Sequence, residues 1–157
     1  MPRSEAFIKT DMVPVRVLLA DDQPRLFAQI ALILGNTHEI VGTVGHGREL
    51  VEAAARLDPD VIVSDISMPG VGGFAALREL KRSGSRSRFV FLTVHDDPDF
   101  VREALCLGAD AYVVKSRLAS DLPEAIRAAR EGRVFVSPSA RLGLEPILNG
   151  REPEESR

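Results

Sequence analysis

The sequence predicts a doubly wound α/β fold, a five-stranded parallel sheet with helices on both faces. Two observations carry that prediction. Of five short apolar runs, at Val15–Ala20, 40–44, Val61–Ser64, 89–94 and Ala111–Val114, most are too uniformly apolar for strands with one wet face. They suit parallel strands buried on both sides. Longer segments with helical spacing alternate with them, the pattern of strands joined by right-handed helical crossovers.

Each element has its punctuation. Residues 1–14 mix charge and polarity without a period and read as a loose N-terminal tail. After the first strand, Pro24 suits a first helical turn, and Gly35 stops the helix Arg25–Leu34. The second strand runs into Gly42, Gly45 and Gly47. Their GxxGxG spacing, after the second strand rather than the first, argues against a dinucleotide loop. The basic side chains Arg78, Lys81, Arg82, Arg86 and Arg88 read as a solvated helix end and loop before the fourth strand. Asp97-Pro98 opens the fourth helix and Gly108 closes it. Asp121 with Glu124 resembles a capping box for the last helix, which ends at Gly132. Residues 133–136 form a brief apolar stretch, and Ser137-Pro138-Ser139 reads as a loop. Leu142, Leu144, Ile147 and Leu148 are spaced to line a short helix, against the tendency of Gly143 and Pro146. The division expected is a tail over 1–14, a domain over 15–138 and a linker or tail over 139–157.

Composition narrows the function classes. With 157 residues the chain holds one domain plus tails. A single cysteine, Cys106, excludes an internal disulfide framework and a cysteine-built zinc site, and fits a reducing, cytoplasmic setting. No apolar run approaches the length of a membrane span, so no membrane association is expected. A net charge of −3 gives this segment no electrostatic case for binding nucleic acid.

Chemistry is expected beyond the carboxyl ends of the strands, where open parallel sheets bind ligands. The first strand ends in Asp21-Asp22, the third in Asp65, the fourth reaches Thr93, and Lys115 follows the fifth. Clustered carboxylates repel one another, and a hard cation relieves the repulsion. Oxygen ligands of this kind suit Mg²⁺. A carboxylate can also act as nucleophile and become an aspartyl phosphate, with a metal and an ammonium neutralising the transferring group. The histidines His38, His46 and His95 have no serine or cysteine at nucleophile-elbow spacing, which argues against a hydrolytic triad.

Four segments resemble the signatures of bacterial response-regulator receiver domains. They are Leu18-Leu19-Ala20-Asp21-Asp22, Asp65-Ile66-Ser67-Met68-Pro69-Gly70, Leu92-Thr93 and Val114-Lys115. The phrases at 108–112 and 131–138 resemble the NarL/FixJ subfamily, so the likeness covers residues 15–138. It implies a flavodoxin-like strand order 2-1-3-4-5. It implies Asp65 as phosphoacceptor, with Mg²⁺ held by Asp21, Asp22, Asp65 and the backbone carbonyl of Ser67. Lys115 would meet the phosphoryl group, Thr93 would be the switch hydroxyl, and Tyr112 the aromatic that follows it. Ser67 and His95 fall at positions that influence how long the phosphate survives.

The function expected is a switch phosphorylated by a sensor histidine kinase, not an enzyme beyond its own phosphorylation and dephosphorylation. A Mg²⁺-dependent phosphohydrolase is the alternative, but that class needs an acid two positions after its nucleophile, where Ser67 stands. A pseudo-receiver is disfavoured by the complete site. Relatives of this subfamily carry a helix-turn-helix domain after a linker, so the chain is expected to be the regulatory half of a transcription regulator, reaching DNA only through a missing C-terminal domain. A stand-alone receiver is the other reading. Output, including a phosphorylation-dependent homodimer, is expected around the fourth helix and fifth strand, where Cys106 and Leu107 point away from the core spacing of Val101, Ala104 and Leu105.

Overall fold

The computed structural model describes residues 13–141 together with Leu144. Most of the proposed tails, and Leu142, Ile147 and Leu148 of the proposed short helix, lie outside the described residues; 13–14, 139–141 and Leu144 are described. The elements alternate from the start: β1 (Val15–Ala20), α1 (Arg25–Leu34), β2 (His38–Val44), α2 (Gly47–Leu57), β3 (Val61–Ser64), α3 (Gly73–Arg82), β4 (Arg88–Thr93), α4 (Pro98–Cys106), β5 (Ala111–Val114), α5 (Leu118–Arg130) and β6 (Phe135–Val136). All pairings are parallel, in the order β2-β1-β3-β4-β5-β6.

Alternation along the central strands divides the core into two layers. Leu18, Ala20, Ile62, Phe89, Phe91, Tyr112 and Val114 face α2, α3 and α4. Val17, Leu19, Val61, Val63, Val90, Leu92, Ala111 and Val113 face α1 and α5. The apolar runs in β1, β3, β4 and β5 are thus strands buried on both faces, whereas the run at 40–44 is not. β2 is one edge of the sheet, and its residues are only half-buried or exposed.

Three expectations need correction. Among the described residues the sheet has six strands, because Phe135 and Val136 pair with Ala111 and Tyr112 and extend it past β5. A strand of two residues is too short to show a period in sequence. The segment behind it is packed rather than looped out: Ser137, Ala140 and Leu144 are buried, the last two against the α4 layer. α5 begins at Leu118, after a 3₁₀ turn over Lys115–Arg117, so Asp121 lies inside the helix and is not its cap. Its carboxylate turns instead to Arg117, Ser120 and Ser137. The fourth helix does begin as its sequence predicts, with the Asp99 N–H donating to Asp97 Oδ1 at 2.8 Å.

Candidate functional site

The order of strands reverses between β1 and β3, so the crevice of a doubly wound sheet opens above their carboxyl ends. Asp21 stands directly after β1 and Asp65 directly after β3. The Asp65 N–H donates to the Ala20 carbonyl at 3.0 Å, locking the two strand ends together. Oxygens of Asp21, Asp22 and Asp65 lie within 4.8 Å of one another. Asp21 and Asp65 are buried and Asp22 is exposed at the mouth.

Lys115, at the end of β5, reaches back across the sheet into this group. Its Nζ lies 2.8 Å from Asp21 Oδ2 and 3.1 Å from Asp65 Oδ2. Only the second contact has hydrogen-bond geometry, so Asp21 Oδ2 is buried beside a positive charge but without a directed hydrogen bond. The other oxygens are placed by backbone: the Gln23 N–H donates to Asp21 Oδ1 at 2.9 Å, and the Ile66 N–H to Asp65 Oδ1 at 2.7 Å. Burial pushes the Asp21 carboxyl above its ordinary value, and the nearby Lys115 ammonium and the Gln23 N–H only partly oppose it. For Lys115 burial acts to lower the value, yet the neighbouring Asp21 and Asp65 carboxylates prevail and raise it, which favours the charged ammonium.

One ammonium facing three carboxylates leaves a local excess of negative charge when all are ionised. The donor set is hard oxygen, and one buried carboxylate oxygen lacks a directed partner. A divalent cation such as Mg²⁺ fits that chemistry. The loop that would add the Ser67 carbonyl is closed tightly against β3. The Gly73 N–H donates to the Ile66 carbonyl at 2.8 Å, and a Cβ on Gly73 would stand 2.2 Å from the Asp65 carbonyl oxygen. Only glycine lets α3 begin this close to the site.

The remaining residues named from sequence also gather here. Thr93 is fully buried at the end of β4, with Oγ1 accepting from the His95 N–H at 3.4 Å. Tyr112 is fully buried in β5, and its hydroxyl donates to the His95 carbonyl at 2.7 Å. Burial, reinforced by the Asp65 carboxylate, pushes the phenol well above its ordinary range. His95 itself is more engaged than a solvent-facing side chain. Its Nε2 lies 3.0 Å from Ser67 Oγ, and its ring packs on Phe100 with centroids 4.5 Å apart. The pair ties the loop after β3 to the loop after β4 across the mouth of the site. Sequence placed both residues near the site, but hydrogen bonding between them had no sequence signal.

The expected output surface is partly occupied. Cys106 is exposed and Leu107 is half-buried against the core, but β5 is no edge, because β6 pairs along it.

Comparison with known proteins agrees with this geometry. Residues 17–127 match the response regulator receiver domain family, and the chain belongs to it. It is 33% identical over 137 residues to the nitrate/nitrite response regulator protein NarL of Escherichia coli K12, across 86% of this chain and 62% of that one. It is 36% identical over 128 residues to NarP of the same organism, across 80% of this chain and 60% of that one. The chain thus spans less than two thirds of the length of these relatives. The isolated receiver domain of RcsB from Salmonella enterica serovar Typhimurium superposes with a TM-score of 0.76 at 28% identity, covering 84% of this chain and 99% of that one. The relatives place the chain with the NarL/FixJ-like response regulators. Among the described residues no helix is long and apolar enough to cross a membrane.

Proposed function

We propose that this receiver domain accepts a phosphoryl group on Asp65 from the phosphohistidine of a sensor histidine kinase, with Mg²⁺ held by Asp21, Asp22, Asp65 and the Ser67 carbonyl. One carboxylate oxygen of Asp65 forms the new O–P bond as the N–P bond to the kinase imidazole breaks, and the imidazole takes up a proton. The observation that carries the reading is the placement of Asp65 at the topological switch point, between the Asp21–Asp22 carboxylates and the Lys115 ammonium. A bound Mg²⁺ supplies charge neutralisation at the transferring group. Lys115 gives the same group a fixed positive charge. Thr93, freed from its long contact with the His95 N–H, turns its hydroxyl to a phosphoryl oxygen, and Tyr112 responds through the same loop.

The modified domain then acts as a switch that turns over no external substrate. The NarL and NarP relatives support a role in transcription regulation, executed by a DNA-binding domain downstream of the receiver, in the cytoplasm. Self-association on phosphorylation belongs to the same reading. Incubation with acetyl phosphate and Mg²⁺, read by intact mass, is expected to add one phosphoryl group to the wild-type chain. Asp65→Asn is expected to take none, and equal labelling of that variant overturns the assignment.

A further inference from the structure

Ser137 lies beyond the matched family region, ten residues past its last position, yet it is bonded to the strand end that presents Lys115. Its N–H donates to the Tyr112 carbonyl at 2.9 Å, and its hydroxyl accepts the Val114 N–H at 3.0 Å. The same hydroxyl donates to Asp121 Oδ2 at 2.8 Å. Asp121 is in turn held by the Arg117 guanidinium, with Nε 2.9 Å from Oδ2, and by the Ser120 hydroxyl at 3.0 Å from Oδ1. Ser137 is fully buried and Asp121 nearly so. A buried hydroxyl with both its donor and its acceptor functions used is geometrically fixed.

We infer that Ser137, backed by Asp121, is a positioning residue for Lys115, and that through it the strap formed by residues 135–141 and Leu144 is coupled to the state of the Asp65 site. The clasp replaces the hydrogen bonds β5 lacks once the two-residue β6 ends. Val114 is the last residue before Lys115, so the clasp sets where the lysine backbone leaves the sheet. The ammonium contacts Asp21 and Asp65 at 2.8 and 3.1 Å, which leaves little play at the other end of the side chain. A displacement of about 1 Å at a reacting group can cost as much as 100-fold in rate. Coupling is reciprocal, so a phosphoryl group that draws on Lys115 also shifts the docking of the strap. The strap leads directly into whatever follows the receiver, which gives the switch a covalent route outward beside any surface it exposes.

This inference rests on the proposed phosphorylation of Asp65, and its experiment separates the two. Hydrogen exchange of residues 113–117 is measured without donor or metal in wild type, Ser137→Ala, Ser137→Thr and the core control Val136→Ala. Mg²⁺ affinity and the rate of phosphoryl uptake from acetyl phosphate follow on the same proteins. Faster exchange at 113–117 in Ser137→Ala is expected, with uptake slowed by about 10- to 100-fold and Mg²⁺ affinity held within about twofold. Ser137→Thr restores the hydroxyl and is expected to restore uptake. Where the threonine methyl prevents folding, Asp121→Asn, which keeps the shape and removes the charge, is expected to fall between wild type and Ser137→Ala. Unchanged exchange at 113–117 in Ser137→Ala overturns the inference. So does a loss of uptake matched by Val136→Ala at equal loss of stability. A wild type that takes no phosphoryl group sinks the proposed function instead, and the exchange result still decides the clasp.

Discussion

Asp21 and Asp121 are the same residue type at nearly the same depth, 4% and 5% exposed, and the protein uses them in opposite ways. Asp121 is saturated: Arg117 holds both of its oxygens, and Ser120 and Ser137 donate to one each. Burial alone would raise its carboxyl, but these partners hold it below its ordinary value. Asp21 shares one ammonium with Asp65 and keeps an oxygen without a directed hydrogen bond, so burial prevails and its carboxyl lies high. A carboxylate whose needs are met inside the chain holds structure together. One left short is available to a ligand that the chain does not supply. The difference separates a structural clasp from a binding site where burial cannot.

The largest expected effect comes from breaking the satisfied member. Asp121→Ala strands the buried Ser137 hydroxyl and releases the strap, and is expected to cost about 3 kcal/mol. That corresponds to a fall in Tm of roughly 6–12 °C. Asp21→Asn in metal-free buffer is expected to be neutral or to stabilise by up to about 1 kcal/mol, since it removes a buried like charge and leaves Lys115 paired with Asp65. The same change should abolish most Mg²⁺ binding. Thermal melts with chelator, paired with a metal titration, test both arms. Equal destabilisation by the two variants would erase the distinction.

Acid sharpens the comparison with a smaller effect, because the two groups shift in opposite directions. For Asp121 the folded value lies below the unfolded one, so the unfolded chain takes up protons first as pH falls. Its contribution is complete above the ordinary carboxylate range and is lost as pH falls through the folded value. For Asp21 the folded value lies above the unfolded one, so the native chain takes up the proton first. Its ionised form costs stability at neutral pH, and that cost disappears on acidification through the raised value. Metal-free melts should show the advantage of Asp21→Asn shrinking as pH falls from neutral towards the ordinary carboxylate range. The deficit of Asp121→Asn should persist through that interval and shrink only below it. The reverse order would mean the two environments have been misassigned.

The same contrast marks what a sequence discloses. β1, β3, β4 and β5 are legible because each is apolar on both faces, and the residues that cap them, Asp21, Asp65, Thr93 and Lys115, are legible because parallel strands place their ends on one rim. β6 and the clasp are not. Phe135 and Val136 are two residues without a period, and Ser137-Pro138 has the composition of a loop. Asp121 and Glu124 have the spacing of a helix start, but the turn at Lys115–Arg117 moves the start forward to Leu118, and tertiary partners claim the carboxylate. Local chemistry is written along the chain. A hydrogen bond spanning 16 positions is not.

The smallest effect lies at the mouth of the site, where Ser67 and His95 meet at 3.0 Å in partly open surroundings. An exposed neutral hydrogen bond contributes about 1 kcal/mol or less, so Ser67→Ala is expected to leave Tm within a few degrees of wild type. Its consequence is kinetic. The bridge draws the loops after β3 and β4 together, and the His95 ring is braced on Phe100 from the other side. Without Ser67 the ring loses one of its two anchors, and water would reach a phosphoryl group accepted by Asp65 more freely. The phosphorylated state should therefore decay faster, by about fivefold at most, the rate equivalent of 1 kcal/mol. The Ser67 carbonyl, which is the atom proposed to meet the metal, is untouched by the substitution, so Mg²⁺ affinity should stay at the wild-type value. Decay of phosphoryl label followed by intact mass, alongside a metal titration, measures the two separately. A lifetime equal to wild type would mean that the bridge decorates the mouth without guarding it, and a parallel loss of Mg²⁺ affinity would mean that it holds the loop rather than the opening.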